Sequence, residues 1–181
     1  MKRVSIHGPP GAGKTWFAER LADRLGLPLH HLDRLYLDDD WQERPVAEAD
    51  AKLSRLVEGE RWIIEGIYPS SYMARMRLAD TVFVLHISRF QRLMRLIGRV
   101  LANRGRKQPA MPQGKPEELD WGFLRSAWRD AERAALDDAI EATGAETKTV
   151  HLRSSGDVAM VLNRLAQDPE RIHPSPSDRR L

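Results

Sequence analysis

The chain contains no cysteine. Disulfides, thiolate metal centres and a cysteine nucleophile are thereby excluded. Nor is there an apolar run long enough for a signal peptide or a membrane span, which makes the cytoplasm the expected compartment. Net charge is also scarce: 29 Lys and Arg stand against 26 Asp and Glu, a formal +3, although the pI is about 9.4. So small an imbalance is weak support for general nucleic-acid binding. The arginine surplus serves polyphosphate ligands equally well, because guanidinium binds phosphate bidentately. No internal repeat is visible. With 181 residues, of which 41% are hydrophobic, the sequence suits one α/β domain with a substantial core.

What is present is organised around Gly8-Pro9-Pro10-Gly11-Ala12-Gly13-Lys14-Thr15. This run satisfies G-x-x-x-x-G-K-[ST], the phosphate-binding P-loop. An apolar strand pattern with Val4 and Ile6 precedes it, and Phe17, Leu21, Ala22 and Leu25 follow at helical spacing. Backbone N–H groups can crowd around phosphate oxygens only where side chains are absent. Gly8, Gly11, Ala12 and Gly13 leave that space, and the following helix N-terminus favours an anion. Pro9 and Pro10 carry no N–H, so the cradle has to come from Gly11 through Trp16. Lys14 is expected to reach the β- and γ-phosphates of ATP, and the Thr15 hydroxyl to ligate Mg²⁺. The glycine spacing fits a dinucleotide fingerprint poorly.

Strand and helix patterns alternate beyond this point. Strands are expected over 2–7, 28–33, 61–65, 81–87 and 147–152. Helices are expected over 14–26, 46–58, 70–78, 89–103, 117–142 and 156–167. Such alternation implies a parallel sheet with helices on both faces, and ligands bind beyond the carboxyl ends of its strands. Residues 1–167 read as a single domain, 103–118 as its candidate lid with Arg104, Arg106 and Lys107, and 168–181 as a loose tail.

Two carboxylates are expected at strand ends. Asp33 could take a proton from a substrate hydroxyl or help hold Mg²⁺, or simply cap a turn. Glu65, after Ile63 and Ile64, is placed like a Walker B metal carboxylate, with an acceptor contact or a structural role as alternatives. On the 89–103 helix, Phe90, Leu93, Met94, Ile97 and Leu101 share one face and Arg92, Arg95 and Arg99 the other. A solvated face and a phosphate-binding face are both compatible with those arginines. His30 and His31 would point to opposite faces of a strand, against a joint metal site. Trp41, Trp121 and Trp128 suit packing better than base stacking.

Several stretches resemble a known group. Gly8–Thr15, His31-Leu32-Asp33-Arg34-Leu35-Tyr36, Trp62-Ile63-Ile64-Glu65-Gly66-Ile67-Tyr68, Ala79-Asp80-Thr81-Val82 and the segment from Leu119-Asp120 to Trp128 are similar to nucleoside-monophosphate-kinase-like P-loop proteins. Within these, the chain looks most like the bacterial, adenylate-kinase-related topology modulation proteins. The resemblance implies a five-stranded parallel sheet in the order 2-3-1-4-5, ATP with Mg²⁺ as donor, and a lid. It also implies that Arg95 lies against the adenine and Arg99 against the phosphates, with further adenine contacts from 153–157. One departure concerns the third-strand motif. The family usually reads Asp-Gly-Asn-Tyr there, whereas this chain has Glu65-Gly66-Ile67-Tyr68. The expected activity is transfer of the ATP γ-phosphate to a small-molecule acceptor, a nucleotide among the candidates. A nucleotide-dependent regulatory or DNA-topology-related ATPase is the alternative.

Overall fold

A computed structural model describes residues 1–38, 42–102, 128 and 132–167, without the side chains of 99–102 and 132. The expected lid with Arg104, Arg106 and Lys107, the tail, Asp39, Asp40, Trp41 and Trp121 lie outside the described residues.

Five strands form one parallel sheet: β1 (Arg3–His7), β2 (Leu29–His31), β3 (Trp62–Glu65), β4 (Thr81–Leu85) and β5 (Thr149–Leu152), in the order β2-β3-β1-β4-β5. The helices are α1 (Lys14–Leu25), α2 (Leu32–Tyr36), α3 (Val46–Val57), α4 (Tyr72–Leu78), α5 (Arg89–Ala102), α6 (Glu132–Thr143) and α7 (Ser155–Gln167). Short 3₁₀ turns at Pro69–Ser71 and Ala145–Lys148 lead into α4 and β5.

The sheet is covered on both sides, so its strands are apolar on both faces. Side chains alternate across the pleat. Ile63, Phe83 and Leu85 join Val4, Ile6, Phe17, Leu21 and Leu162 in a core beneath α1 and α7. Trp62, Ile64, Val82 and Val84 join Leu53, Met76, Leu136 and Ile140 in a second core beneath α3, α4 and α6. Gly26 ends α1 in the left-handed conformation, its N–H bonded to the Ala22 carbonyl, as a glycine C-cap does. No helix of the described residues is long and apolar enough to cross a membrane.

Two expectations are corrected here. Asp33 is not at a strand end: β2 stops at His31, and Asp33 lies in the first turn of α2. The apolar run Leu32–Leu35–Tyr36 closes a short helical turn that buries Leu32 and Tyr36, and this packing outcompetes extension of a three-residue edge strand. The second correction concerns α5. Its apolar stripe is not the buried side: Phe90 is 67% and Met94 52% exposed, whereas Arg92 is 1% and Leu96 2% exposed. The helix packs its Arg92–Leu96 side against Gly11 of the glycine loop, and from that side Arg95 donates to the Ala12 carbonyl. Of the long helix expected over 117–142, only α6 and the helical, half-exposed Trp128 fall among the described residues.

Candidate active site

Parallel strands place all their carboxyl ends at one edge of the sheet. The register pairs His31 with Glu65, Glu65 with Ile6, and His7 with Val84. The loop after β1, the start of α2 and the end of β3 therefore converge beside the central strand, where ligands bind in this architecture.

The glycine loop is shaped by close approach. Gly11 has φ 75°, and a Cβ there would lie 2.7 Å from the Arg92 carbonyl oxygen and 2.9 Å from Leu96. Gly8, at φ 143°, packs against Leu85 in the same way. Gly13 is left-handed (φ 91°) and opens α1, while Ala12 is buried. These positive φ values need glycine and turn successive N–H groups into one concavity. Lys14 is 8% exposed, and its Nζ donates to the Pro9 carbonyl across the loop at 3.2 Å.

Glu65 is 3% exposed. Its Oε1 accepts from His31 Nδ1 at 2.8 Å and from Thr15 Oγ1 at 3.2 Å. Burial by itself would raise the Glu65 pKa, but the His31 hydrogen bond, the charge of Lys14 and the Thr15 hydroxyl together hold it below the usual value. Glu65 is thus an ionised carboxylate beside the lysine and threonine of the loop. An ionised carboxylate only accepts, so His31 carries its proton on Nδ1. The hydroxyl of Thr15 with the carboxylate of Glu65 is an oxygen donor set suited to Mg²⁺.

Gly66 fixes how α2 meets this carboxylate. Its φ is 142°, and a Cβ would fall 2.6 Å from Leu32 Cβ. Gly66→Ala is expected to lower stability by roughly 2–4 kcal/mol, through the positive φ and an overpacked contact. The thermal midpoint should fall by about 10 °C. A change under about 2 °C in a melting curve would show that α2 yields freely.

Arg95 crosses from α5 onto the loop, donating to the Ala12 carbonyl at 3.2 Å and to Ser155 Oγ at 3.0 Å. It borders a cavity of about 420 Å³ that is also lined by Ala12, Gly13, Trp16, Ser155 and Val158. Ser155 belongs to the segment after β5 expected to meet a base. That segment is held by a capping box: Asp157 N–H donates to Ser154 Oγ at 3.1 Å, and Asp157 Oδ2 accepts from the Ser154 N–H at 2.9 Å. Arg99 lies on the same helix, its side chain outside the described residues. Trp16 is half exposed beneath the Arg20 guanidinium, 4.3 Å from its ring.

On the other side of the loop, the Tyr36 and Tyr68 rings stack at 4.1 Å. Burial, and after it the negative charge of Asp33, push the Tyr68 hydroxyl pKa upward. Sequence reasoning missed three groups at this edge: His31 as a partner of Glu65, the buried His7 that ends β1, and Arg75 on α4. For Arg75 a signal existed, because Tyr72, Met76 and Ala79 put position 75 on the apolar side of α4.

No protein-family model matches the chain, and no curated protein matches it. Solved structures do. A shikimate kinase from Acinetobacter baumannii in complex with shikimate superposes with a TM-score of 0.58 at 12% identity, covering 92% of each chain. A gluconokinase from Sinorhizobium meliloti gives 0.52 at 15% identity, covering 92% of this chain and 90% of that one. A shikimate kinase from Bacteroides thetaiotaomicron gives 0.50 at 19%, covering 92% and 96%. At such identities the likeness is one of fold. The chain has the α/β P-loop fold, and these neighbours with that fold are kinases.

Proposed function

We propose that this protein is an ATP-dependent phosphotransferase acting on a small-molecule acceptor, with residues 1–167 as its catalytic unit. The observation that carries the reading is the convergence of a nearly buried Lys14, the left-handed glycine loop and the ionised Glu65 at one sheet edge. The loop amides from Gly11 to Trp16 and the Lys14 ammonium hold the donor phosphates. The cavity beneath Arg95 takes the base. Its roughly 420 Å³ lies within the usual range for small-molecule sites.

Thr15 and Glu65 would hold Mg²⁺, which when bound neutralises charge on the phosphates. Asp33 takes the proton of the acceptor hydroxyl as its oxygen bonds to the γ-phosphorus and the bond to the ADP leaving oxygen breaks. Arg95 and Arg99 offset negative charge as the phosphoryl group moves. A closer relation to the topology modulation proteins rests on the shared sequence stretches.

The test is ADP formation from Mg·ATP across nucleoside monophosphates, nucleosides, neutral sugars, sugar phosphates and hydroxy acids. Strong stimulation by one class establishes the kinase. A low rate indifferent to every acceptor, with tight ATP binding retained, would replace the kinase reading with a hydrolase or regulatory one.

A further inference from the structure

Arg75 is a fully buried cation with little compensation among the described residues. It is 0% exposed, yet its Nη2 makes long hydrogen bonds to neutral groups, one of 3.3 Å to His7 Nδ1 and one of 3.3 Å to the Gly66 carbonyl. Its Nε and Nη1 have no hydrogen-bond partner among the described residues. The guanidinium lies 5.5 Å from the Tyr72 ring, a cation–π contact. Burial lowers its pKa to about 10, with partial compensation from Tyr72, Glu65 and Tyr36, so it stays charged at neutral pH. Arginine that serves only packing normally sends its head to water or to a carboxylate. Leaving donors of a buried cation unmet costs several kcal/mol.

Its surroundings are arranged to hold that charge in place. Arg75 donates to His7 Nδ1, so His7 carries its proton on Nε2 and donates it to Ser5 Oγ at 2.7 Å. Burial, then the charges of Arg75 and Lys14, hold the His7 pKa well below its ordinary value, which keeps the ring neutral and accepting. His7 is the last residue of β1 and Gly66 follows the last residue of β3. The guanidinium is therefore fixed between the glycine loop and Glu65. The adjoining Tyr72 also lines a cavity of about 210 Å³ together with Gly8, Pro9, His86 and Arg133. None of the described residues lining that cavity is acidic.

We propose that Arg75, positioned by His7, anchors an oxyanion carried by the phosphate acceptor, a carboxylate or a phosphate, with the Tyr72 ring moving aside to admit it. This rests on the phosphotransferase reading and names the acceptor class: a small anionic alcohol. The cavity is below the roughly 300 Å³ at which ordinary ligand pockets begin, which favours a hydroxy acid or sugar phosphate over a nucleotide. An oxyanion would meet an idle N–H of this guanidinium in a charge-assisted hydrogen bond.

The test loads the protein with a non-hydrolysable Mg·ATP analogue, so that the glycine loop is filled. Thermal unfolding is then followed in sodium acetate, phosphate or chloride at matched ionic strength. Acetate or phosphate, but not chloride, should raise the midpoint by about 3 °C or more in the parent. The gain should vanish in Arg75→Met and shrink in Arg75→Lys, which keeps the charge without the fork. In the acceptor panel, the kcat/KM ratio of an anionic acceptor to its neutral amide or unphosphorylated counterpart should fall at least tenfold in either variant. The response of acetate against phosphate distinguishes a carboxylate from a phosphate ligand.

Equal responses to all anions in the parent, or an unchanged preference in Arg75→Lys, would overturn the proposal. Should Arg75→Met not fold, the Lys variant and the parent decide alone. Efficient phosphorylation of a neutral acceptor alone would sink the anion anchor and leave the kinase standing. Anion stabilisation lost with Arg75, but no acceptor stimulating ADP release, would do the reverse.

Discussion

Lys14→Ala should lower the rate of ADP formation from Mg·ATP by on the order of 10³-fold, the upper range for removing one preorganised donor to a charged transition state. The reason lies in where the ammonium sits. Lys14 is nearly buried at the first turn of α1, and its Nζ rests on the Pro9 carbonyl of its own loop. The charge is held in the concavity before any nucleotide arrives, so little reorganisation is needed when phosphate enters. It is also among the charges that keep Glu65 ionised. Alanine removes both effects while preserving the helix, since alanine is the best helix former. Far-ultraviolet circular dichroism should therefore be unchanged. Calorimetric titration with Mg·ATP should show affinity reduced by at least tenfold. Lys14→Met, which keeps most of the stem, should be as inactive as Lys14→Ala if charge rather than packing matters. Activity within tenfold of the parent in both variants would remove Lys14 from the phosphate site.

Glu65→Gln should be the next most damaging change, with kcat reduced by about 10²-fold or more. One carboxylate oxygen accepts from both His31 and Thr15. The glutamine oxygen can still accept, but the negative charge that opposes Lys14 and suits a divalent cation is gone. The Mg²⁺ concentration for half-maximal rate should rise by about tenfold, as weakened ligand shells typically show. Glu65→Asp shortens the reach and should lose the shared hydrogen bonds without losing the charge, so its defect should be partly relieved by high Mg²⁺. If Glu65 instead contacts the acceptor, Glu65→Gln will raise the acceptor KM and leave the Mg²⁺ requirement where it was. A Mg²⁺ titration at saturating ATP, run beside an acceptor titration, tells the two apart.

Much of this site is written locally in the chain. The eight residues from Gly8 to Thr15 specify a loop because their glycines permit positive φ and close approach within a few residues of each other. The acid at the end of β3 is equally legible, since Trp62–Glu65 is a short apolar run ending on a charge. Asp33 is less legible: the pattern extends the second strand to 33, two residues past its end at His31. A three-residue edge strand and a one-turn helix share the same few apolar residues, and only the fit of Leu32 against Gly66 decides between them. The facing of α5 was less accessible. Its arginines alternate with its apolar residues as on any surface helix, and periodicity reports that two faces differ without saying which one meets the protein.

By itself the sequence determined the alternation of strands and helices, and hence a parallel sheet. It also determined the phosphate loop, whose chemistry is carried by adjacent residues. The tertiary structure decided what those residues meet. It set the His31–Glu65–Thr15 hydrogen bonds, the reach of Arg95 to Ala12 and Ser155, and the enclosure of Arg75 between His7 and Gly66. Each of these joins groups separated by 9 to 83 positions along the chain. Such contacts depend on strand order and register, which arise when apolar faces of distant segments are buried together. Local pattern encodes which face of an element is apolar; the packing of all elements at once fixes which polar groups are left facing one another.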